Sequence, residues 1–361
     1  MRVRSRPGGR LRTRPVPPYD RGRLRTRPVP PYDRGVTTVV RVGTCSWADE
    51  TLTKVWYPPG VRSGEARLRH YAERFGVVEA NSTYYRLPDA ELVGNWVERT
   101  PPGFTMHVKA FGLMTRHPVK ADVLPDDLRE ALPVDSQGRV DRPPRQLRAE
   151  VFRRFAAALE PLRVTGKLGG ILLQFPPYVV SKPASFEYLE WAQEQLPGDE
   201  LLVEFRHRSW LDEAHRAETL SFLESRGLGY VVVDAPKTEA RNLVPTVVAR
   251  TSRTAYVRFH GRNAATWNKR TGSAAERFDY LYSSEELREW VEPLRELAGE
   301  AEQVFAMFNN NGRSAMPSFG GLAGLDPHEV AGDPQKGVVA QAPANAFMLR
   351  QALADAGVPV A

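Results

Sequence analysis

Four residues of the sequence have the chemistry expected of an acid–base site. Glu79, Glu204, His260 and Lys109 each lie near the end of a strand-like run of residues. The two glutamates are the candidate general acid and general base, and His260 could carry a proton between the substrate and the protein. Which glutamate is the acid stays open, because a cationic neighbour lowers the pKa of a carboxyl group whereas burial raises it.

Cationic side chains at similar positions predict an anionic ligand. Lys109, Arg206 and Arg258, together with protonated His260, could hold a phosphate or carboxylate, since a guanidinium binds such groups through two parallel hydrogen bonds. Other side chains at the strand ends are expected to contact the substrate: Asn81, Tyr84, Gln174, Trp210, Asp234, Asn263, Asn309 and Asn310. The alternative is structural: the glutamates and their cationic neighbours would form a buried ion-pair layer without a catalytic role.

A metal site is a second interpretation of the same polar residues. The ligands would come from a set of acidic and histidine side chains: Glu79, His107, Glu204, Asp234 and His260. The sequence has neither an HExxH motif nor a His-x-His pair, and cationic neighbours oppose the binding of a divalent cation. We therefore predict no cofactor and no metal ligands, with a divalent metal as the alternative.

Nucleophilic serine or cysteine chemistry has little support in the sequence. Ser46 and Ser209 lie at strand ends, but neither has the G-x-S-x-G surroundings of a nucleophile elbow. The only cysteine, Cys45, is expected to be a small buried thiol. It cannot form an internal disulfide, which fits a reducing cytoplasm.

Six aromatic residues at or beyond the strand ends could stack against a base or a sugar ring: Trp47, Tyr84, Tyr85, Phe175, Trp210 and Trp267. Packing within the protein is the commoner role for such side chains. Because Tyr84 and Trp210 adjoin charged strand ends, we expect these two to face the ligand.

The elements that must position these residues alternate regularly from Val39 onward. Eight strand-like runs are separated by amphipathic helical runs, and the strands are predicted at 39–43, 77–81, 104–109, 167–175, 201–205, 229–234, 256–260 and 303–309. Such alternation predicts parallel strands in a closed (β/α)₈ TIM barrel of the α/β class, formed by a single domain. An open doubly wound sheet is the alternative, although the sequence lacks its GxGxxG and GxxxxGK[ST] motifs.

A barrel would gather the candidate residues at one place, because active sites of this fold lie at the C-terminal ends of the strands. Side chains two residues apart on a strand share a face, which pairs Glu204 with Arg206 and Arg258 with His260. Charged side chains are expected to face the barrel mouth and not the helix layer.

The net charge of the chain is concentrated at its N-terminus. Residues 1–35 contain eleven arginines and two aspartates and repeat the segment GRLRTRPVPPYDR, whereas the whole 361-residue chain carries only +7. We expect this segment to be a disordered tail. It is a basic arm for nucleic acid or acidic surfaces, a dispensable tail, or a translated upstream repeat, in which case the true start of the protein lies near Val36.

The remaining residues, 36–361, are predicted to form the barrel domain, with insertions near 110–146 and 312–341. No run approaches the ~18 apolar residues that a membrane helix requires, and no signal-peptide pattern is present. We expect a cytoplasmic protein without a membrane partner. Its oligomeric state cannot be predicted.

Several long motifs resemble those of the DUF72 (YecE-like) family: GTCSW at 43–47, VEANSTYYRLP at 78–88, W-x-x-x-TP-x-x-F at 96–104, LLQFPP at 172–177, EFRHRSW at 204–210, YVRFHGRN at 256–263 and FNNN at 308–311. The resemblance implies a TIM barrel similar to the endonuclease IV and xylose isomerase group, while the family itself is named for unknown function. The arginine-rich tail and the 312–341 insertion depart from the family pattern.

Two functions remain after these observations. The first is an enzyme, whether hydrolase, lyase or isomerase, that acts on a small phosphorylated or carboxylated substrate through glutamate acid–base chemistry and a Lys/Arg/His anion clamp. The second is a nucleic-acid-binding or endonuclease IV-like phosphodiester-processing protein, whose affinity would fall steeply with salt.

Overall fold

Eight parallel β-strands form a closed barrel in the computed structural model, which describes residues 38–238, 240–267, 274–315 and 337–361. The spatial order of the strands is β1-β8-β7-β6-β5-β4-β3-β2, and β2 closes the barrel against β1. The strands are β1 (Val40–Thr44), β2 (Val77–Ala80), β3 (Thr105–Lys109), β4 (Leu168–Gln174), β5 (Leu201–Glu204), β6 (Gly229–Asp234), β7 (Thr254–Phe259) and β8 (Gln303–Phe308). The predicted fold class is confirmed, and each strand lies within two residues of its predicted bounds.

Apolar, mostly β-branched or aromatic residues make up these strands and are buried on both faces, as expected when helices cover a parallel sheet. The closure between β1 and β2 rests on one pair, Thr44 with Val78. Gly43 permits this close approach, because a Cβ atom there would lie 2.4 Å from the carbonyl oxygen of Val77. The seam of the barrel therefore depends on a residue without a side chain.

Helices follow most strands and form the outer layer. Their bounds are α1 (Gly64–Ala72), α2 (Ala90–Glu98), α3 (Asp126–Ala131), α4 (Arg145–Ala158), α5 (Glu160–Val164), α6 (Pro183–Glu194), α7 (Arg216–Arg226), α8 (Ala264–Trp267), α9 (Ser284–Arg288), α10 (Val291–Glu300) and α11 (Gln341–Asp355). Side-chain caps fix several helix starts, including Ser63 before α1 and Asp89 before α2. The apolar residues between Leu287 and Leu297 have the spacing of one continuous helix, but the structure has two helices there, α9 and α10.

The predicted insertion near 110–146 is folded onto the barrel. It begins with a buried 3₁₀ turn, Gly112–Thr115, and contains α3. Val119–Lys120 pairs in antiparallel fashion with Arg139–Val140. The insertion therefore adds a small wall beside β3.

Of the second insertion, near 312–341, the structure describes only the two ends. Arg313–Ala315 pairs in antiparallel fashion with Val338–Ala340. The remainder, and the predicted tail 1–35, lie outside the described residues. In the part of the chain that is described, no helix is both long enough and apolar enough to span a membrane.

The middle of the barrel interior is filled by aromatic rings. The ring of His107 on β3 contacts Tyr256 on β7 and Phe305 on β8, with centroid distances of 4.7 and 4.4 Å. We call these three residues the aromatic floor. Because all strands run in parallel, the residues two positions further along them lie closer to the C-terminal mouth.

Candidate functional site

A buried guanidinium joins two strands across the barrel directly beyond the aromatic floor. Arg258 on β7 donates from Nη2 to Glu79 Oε1 at 2.6 Å and from Nη1 to Glu204 Oε2 at 2.5 Å. All three side chains are completely buried. Tyr256 donates its hydroxyl hydrogen to the other oxygen of Glu79 at 2.9 Å. Both glutamates predicted as acid and base are therefore partners of one arginine.

Glu204 is the most heavily hydrogen-bonded of these carboxylates. Its Oε1 atom accepts from Gln174 Nε2 at 2.8 Å and from Arg206 Nη1 at 2.9 Å, and it lies 3.0 Å from His260 Nε2. With Arg258 on Oε2, four side chains surround one carboxylate. The sequence predicts all four as site residues, and the structure brings them together.

The hydrogen bonds around Asn309 assign the tautomer of His260. Asn309 Oδ1 faces donors, with Asn81 Nδ2 at 3.3 Å and Arg258 Nη2 at 3.4 Å. Its Nδ2 atom therefore points to His260 Nδ1 at 3.0 Å and donates there. We therefore assign the hydrogen of the neutral imidazole to Nε2, which lies 3.0 Å from Glu204 Oε1 and 3.1 Å from Arg206 Nη1 and can donate only to the carboxylate.

The electrostatics of the network keep the carboxylate ionised. Burial would raise the pKa of Glu204, but the charge of Arg258, the contact with His260 and the charge of Arg206 together outweigh burial and hold this pKa well below its usual range. Burial lowers the pKa of His260 to about 3 in spite of the adjacent carboxylate. At neutral pH Glu204 is therefore an anion and His260 is uncharged.

Two cationic side chains extend from the network to the partly exposed rim. Lys109 Nζ donates to Gln174 Oε1 at 2.9 Å and lies 4.5 Å from the ring centre of Tyr84. The side chain of Arg206 is 18% exposed, and its guanidinium lies 5.4 Å from the ring centre of Trp267. The rim thus presents two cations flanked by aromatic rings.

Other predicted site residues lie apart from Glu204. Trp210 is buried, stacks on Phe205 at 4.1 Å and donates its indole hydrogen to the carbonyl of Val179. Asp234 accepts from Arg262, Tyr282 and Trp290, so its carboxylate holds the β6 end to the segments after β7.

The two remaining asparagines also make contacts with the protein. Asn263 donates to the carbonyl of Asp279, and Asn310 donates to Tyr280 O and to Asn345 Oδ1 on α11. Of the aromatic residues expected to face the ligand, Tyr84 alone adjoins the rim.

The residues considered for a metal site do not converge. His107 lies in the aromatic floor, Asp234 is bonded to Arg262, and Arg258 stands between Glu79 and Glu204. Within the described ranges, no group of three or more His, Cys, Asp or Glu side chains could hold a metal ion. Cys45 is buried as expected, and burial raises the pKa of its thiol well above the usual value.

Sequence reasoning missed two contributors to the site. His117 comes from the insertion after β3, and its ring lies 5.1 Å from that of Tyr84. Burial lowers the pKa of His117 to about 3, and the charges of Lys109 and Arg206 contribute to the shift. The sequence marks Tyr256 only as a strand residue, although its spacing of two from Arg258 puts it on the same inward face.

A cleft of about 300 Å³ opens among the segments that follow the strands. It is formed by residues from the segments after β1, β7 and β8: Glu50, Thr51, Lys54, Val55, Glu276, Asp279, Asn311, Gly312 and Arg313. None of the predicted site residues lines it. The chain therefore has two places at the mouth where a ligand could be sought.

Comparison with known proteins relates this barrel to a family. Residues 41–323 match the family described as "Protein of unknown function DUF72". The chain belongs to the DUF72 family. UPF0759 protein YunF of Bacillus subtilis is 32% identical over 277 residues, which cover 76% of this DUF72 chain and 89% of YunF. UPF0759 protein YecE of Escherichia coli O157:H7 is 26% identical over 231 residues, or 59% and 74% of the two chains.

Solved structures of DUF72 proteins share the fold. One from Thermotoga maritima is 31% identical with a TM-score of 0.64, and the match covers 88% of this chain and 99% of that one. One from Enterococcus faecalis is 22% identical with a TM-score of 0.65, covering 88% and 96%. The resemblance seen in the sequence motifs is thus confirmed at the level of family and fold.

Proposed function

We propose that this DUF72 protein is an enzyme that binds a small phosphorylated or carboxylated substrate at the C-terminal mouth of the barrel. Lys109 and Arg206 would contact the anionic group, and Glu204 with His260 would handle a proton of the reaction. Asn81 and Asn309, which border the same network, would contact the rest of the substrate. The position of the network at the C-terminal strand ends, where enzymes of this fold bind substrates, supports the proposal.

The observation that carries the proposal is the charge balance of the network. Arg258 lies between Glu79 and Glu204, and Arg206 and Lys109 add two further cations nearer the rim. Three cations and two carboxylates leave an excess of one positive charge. An excess charge that is only partly exposed is costly without a partner, so an anion at the rim would be stabilised.

The proton chemistry follows from the state of Glu204. Because its pKa is held well below the usual range, Glu204 has no proton to supply at neutral pH, which excludes the role of general acid and leaves that of a weak base. The hydrogen on His260 Nε2 already points at this carboxylate. The proposal therefore assigns the role of base to Glu204, with His260 as the residue that positions it and passes the proton.

A thermal-shift screen tests anion binding even while the substrate is unidentified. Phosphate esters and small carboxylic acids are added to the full chain at low salt, and the rise in Tm is compared with that of the variants Arg206→Gln and Lys109→Gln. Ligands that raise Tm in the wild type should lose most of this effect in both variants. The matched control is Arg74→Gln, because Arg74 is partly exposed near the end of α1.

Mass spectrometry then measures whether the wild type converts the ligands that raise Tm into products. Glu204→Gln should bind the ligand but not convert it, since the amide cannot accept the proton. If no anion raises Tm, or if Arg206→Gln and Arg74→Gln respond alike, the proposed anion site is wrong. If Glu204→Gln converts the ligand as fast as the wild type, the assigned base is wrong.

A further inference from the structure

Lys109 has surroundings that differ from those of an ordinary ion-paired lysine. Within the ranges that the structure describes, its Nζ atom has one hydrogen-bond partner, Gln174 Oε1, and it faces the ring of Tyr84. Among the described residues no carboxylate oxygen lies within 4.0 Å of this nitrogen, whereas Lys54 at the surface is paired with Glu50. Lys167, near the opposite end of the barrel, donates to three oxygen atoms of Val97 and Thr100.

Burial and a neighbouring cation shift Lys109 toward the uncharged amine. Burial and then the charge of Arg258 lower the pKa of Lys109 to about 8, and the opposing charges of Glu204 and Glu79 do not cancel this shift. The side-chain amide of Gln174 lies between Lys109 and Glu204, with Oε1 toward Lys109 and Nε2 toward Glu204. At pH 7 a pKa of about 8 leaves roughly a tenth of the lysine unprotonated, several hundredfold more than for an exposed lysine.

We propose that Lys109 is a nucleophile that forms an imine with a substrate carrying both an aldehyde or ketone group and an anionic group. With such a substrate Arg206 alone would hold the anion, because Lys109 Nζ would be engaged by the carbonyl carbon and not by the anionic group. A buried lysine next to other cations is a recognised setting for this chemistry. This inference rests on the proposed function for the anionic half of the substrate and adds the carbonyl half.

The covalent step needs no oxidant or reductant. The lone pair of Lys109 Nζ attacks the carbonyl carbon, a C–N bond forms, and the C=O π pair moves to the oxygen. A proton lost by the nitrogen reaches this oxygen through water and makes it a hydroxyl. A second proton, supplied by solvent water, is added to the hydroxyl, which leaves as water while the nitrogen lone pair forms the C=N bond of a protonated imine. Gln174 Oε1 orients the amine, because it accepts one N–H and so directs the lone pair elsewhere.

Reductive trapping tests the inference directly. The full chain is incubated at pH 8 with pyridoxal 5′-phosphate, an aldehyde that carries a phosphate, and the imine is reduced with borohydride. Peptide mapping by mass spectrometry then measures the labelling of each lysine. Lys109 should be labelled faster than the exposed Lys54 and Lys182, and Lys167 should stay unlabelled.

Pyridoxal, which lacks the phosphate, should label Lys109 more slowly, and added inorganic phosphate should slow the labelling by pyridoxal 5′-phosphate.

Variants at Gln174 separate nucleophilicity from binding. Gln174→Glu places a carboxylate beside Lys109, which raises the pKa of the lysine and should lower its labelling at pH 7 by about tenfold per pKa unit. Gln174→Met removes the amide without adding a charge and should retain most of the labelling. Circular dichroism checks that both Gln174 variants are folded.

The outcomes distinguish this inference from the proposed function. Labelling of Lys109 no faster than that of Lys54 or Lys182 overturns the inference, even if anions still raise Tm through Arg206. If pyridoxal and pyridoxal 5′-phosphate label Lys109 equally fast, and inorganic phosphate does not slow the labelling, the imine is supported but an anion site at the mouth is contradicted. Equal labelling of Gln174→Glu and Gln174→Met contradicts the role given to the amide.

Discussion

At the scale of single residues, the network depends on Arg258. Alternation along β7 predicts that Arg258 and His260 face inward together, and the structure bears this out. The sequence could not show that one guanidinium would engage both glutamates, because that contact joins strands far apart in the chain. Trp210 and Asp234 are expected at the ligand because they lie at or beyond a strand end, but this position alone does not show which neighbours each side chain contacts.

Replacing Arg258 by Met should lower the free energy of unfolding by about 3–5 kcal/mol, because two buried carboxylates lose their partner. Urea denaturation measures this loss. The control is Arg253→Met, which removes an ion pair of a half-exposed arginine with Glu200 and should cost less than about 1 kcal/mol. Adding Glu79→Gln and Glu204→Gln to Arg258→Met should restore part of the stability. Equal losses for the two arginine variants would show that the network does not stabilise the barrel.

His107 should make the protein sensitive to acid. Burial lowers its pKa from 6.5 to about 3, and neither ring nitrogen has a hydrogen-bond partner in the described part of the chain. Between these pH values the unfolded chain binds a proton that the folded chain does not, so the free energy of unfolding falls as the pH falls. His107→Leu should reduce that fall by up to about 1.4 kcal/mol per pH unit.

Urea denaturation at several pH values between 7 and 4 gives the slopes. Phe305→Leu is the matched control, since it truncates another ring of the aromatic floor and should shift the curve without changing its slope. Parallel curves for the wild type and His107→Leu would contradict the role assigned to this histidine.

At the scale of elements, the alternation of strands and helices was enough to predict the barrel, whereas several helix bounds were not predictable. The sequence shows one continuous apolar stripe from Leu287 to Leu297, yet α9 ends at Arg288 and α10 begins at Val291. Trp290 lies at this break and donates its indole hydrogen to Asp234 on β6. The periodicity of apolar residues along a helix cannot reveal a long-range contact of this kind.

Barrel closure should be sensitive to a single methyl group. Gly43→Ala places a Cβ atom against the backbone of Val77 and should destabilise the protein by about 1–3 kcal/mol. Gly94→Ala in α2 is the matched control, because no atom lies within 4 Å of a Cβ there. It should stabilise by up to about 1 kcal/mol through helix propensity. Chemical denaturation distinguishes the two, and a neutral Gly43→Ala would contradict the close approach at this seam.

At the scale of the whole molecule, the distribution of charge bears on the choice between the two functions that the sequence leaves open, a small-substrate enzyme and a nucleic-acid-binding protein. Residues 1–35 carry a net charge of +9, and the rest of the chain is close to neutral. The positive excess at the barrel mouth is therefore local. It arises from a few residues of the network, which suits a small anion better than the extended phosphate backbone of a nucleic acid.

Deleting residues 1–35 should leave the Tm rise caused by small anions unchanged. Binding to duplex DNA, measured by fluorescence anisotropy, should weaken steeply with salt in the full chain and largely disappear after the deletion. If the deletion abolishes the response to small anions, the anion site is not in the barrel. If DNA binding survives the deletion, the nucleic-acid function gains support over the small-substrate enzyme.

The most direct test of the account is a crystal structure of the full chain with the anion that raises Tm most. We predict that its phosphate or carboxylate lies within hydrogen-bond distance of Arg206 and Lys109, at the rim above Glu204. An anion bound instead in the neighbouring cleft, against Lys54 and Arg313, would contradict the assignment of the network as the substrate site.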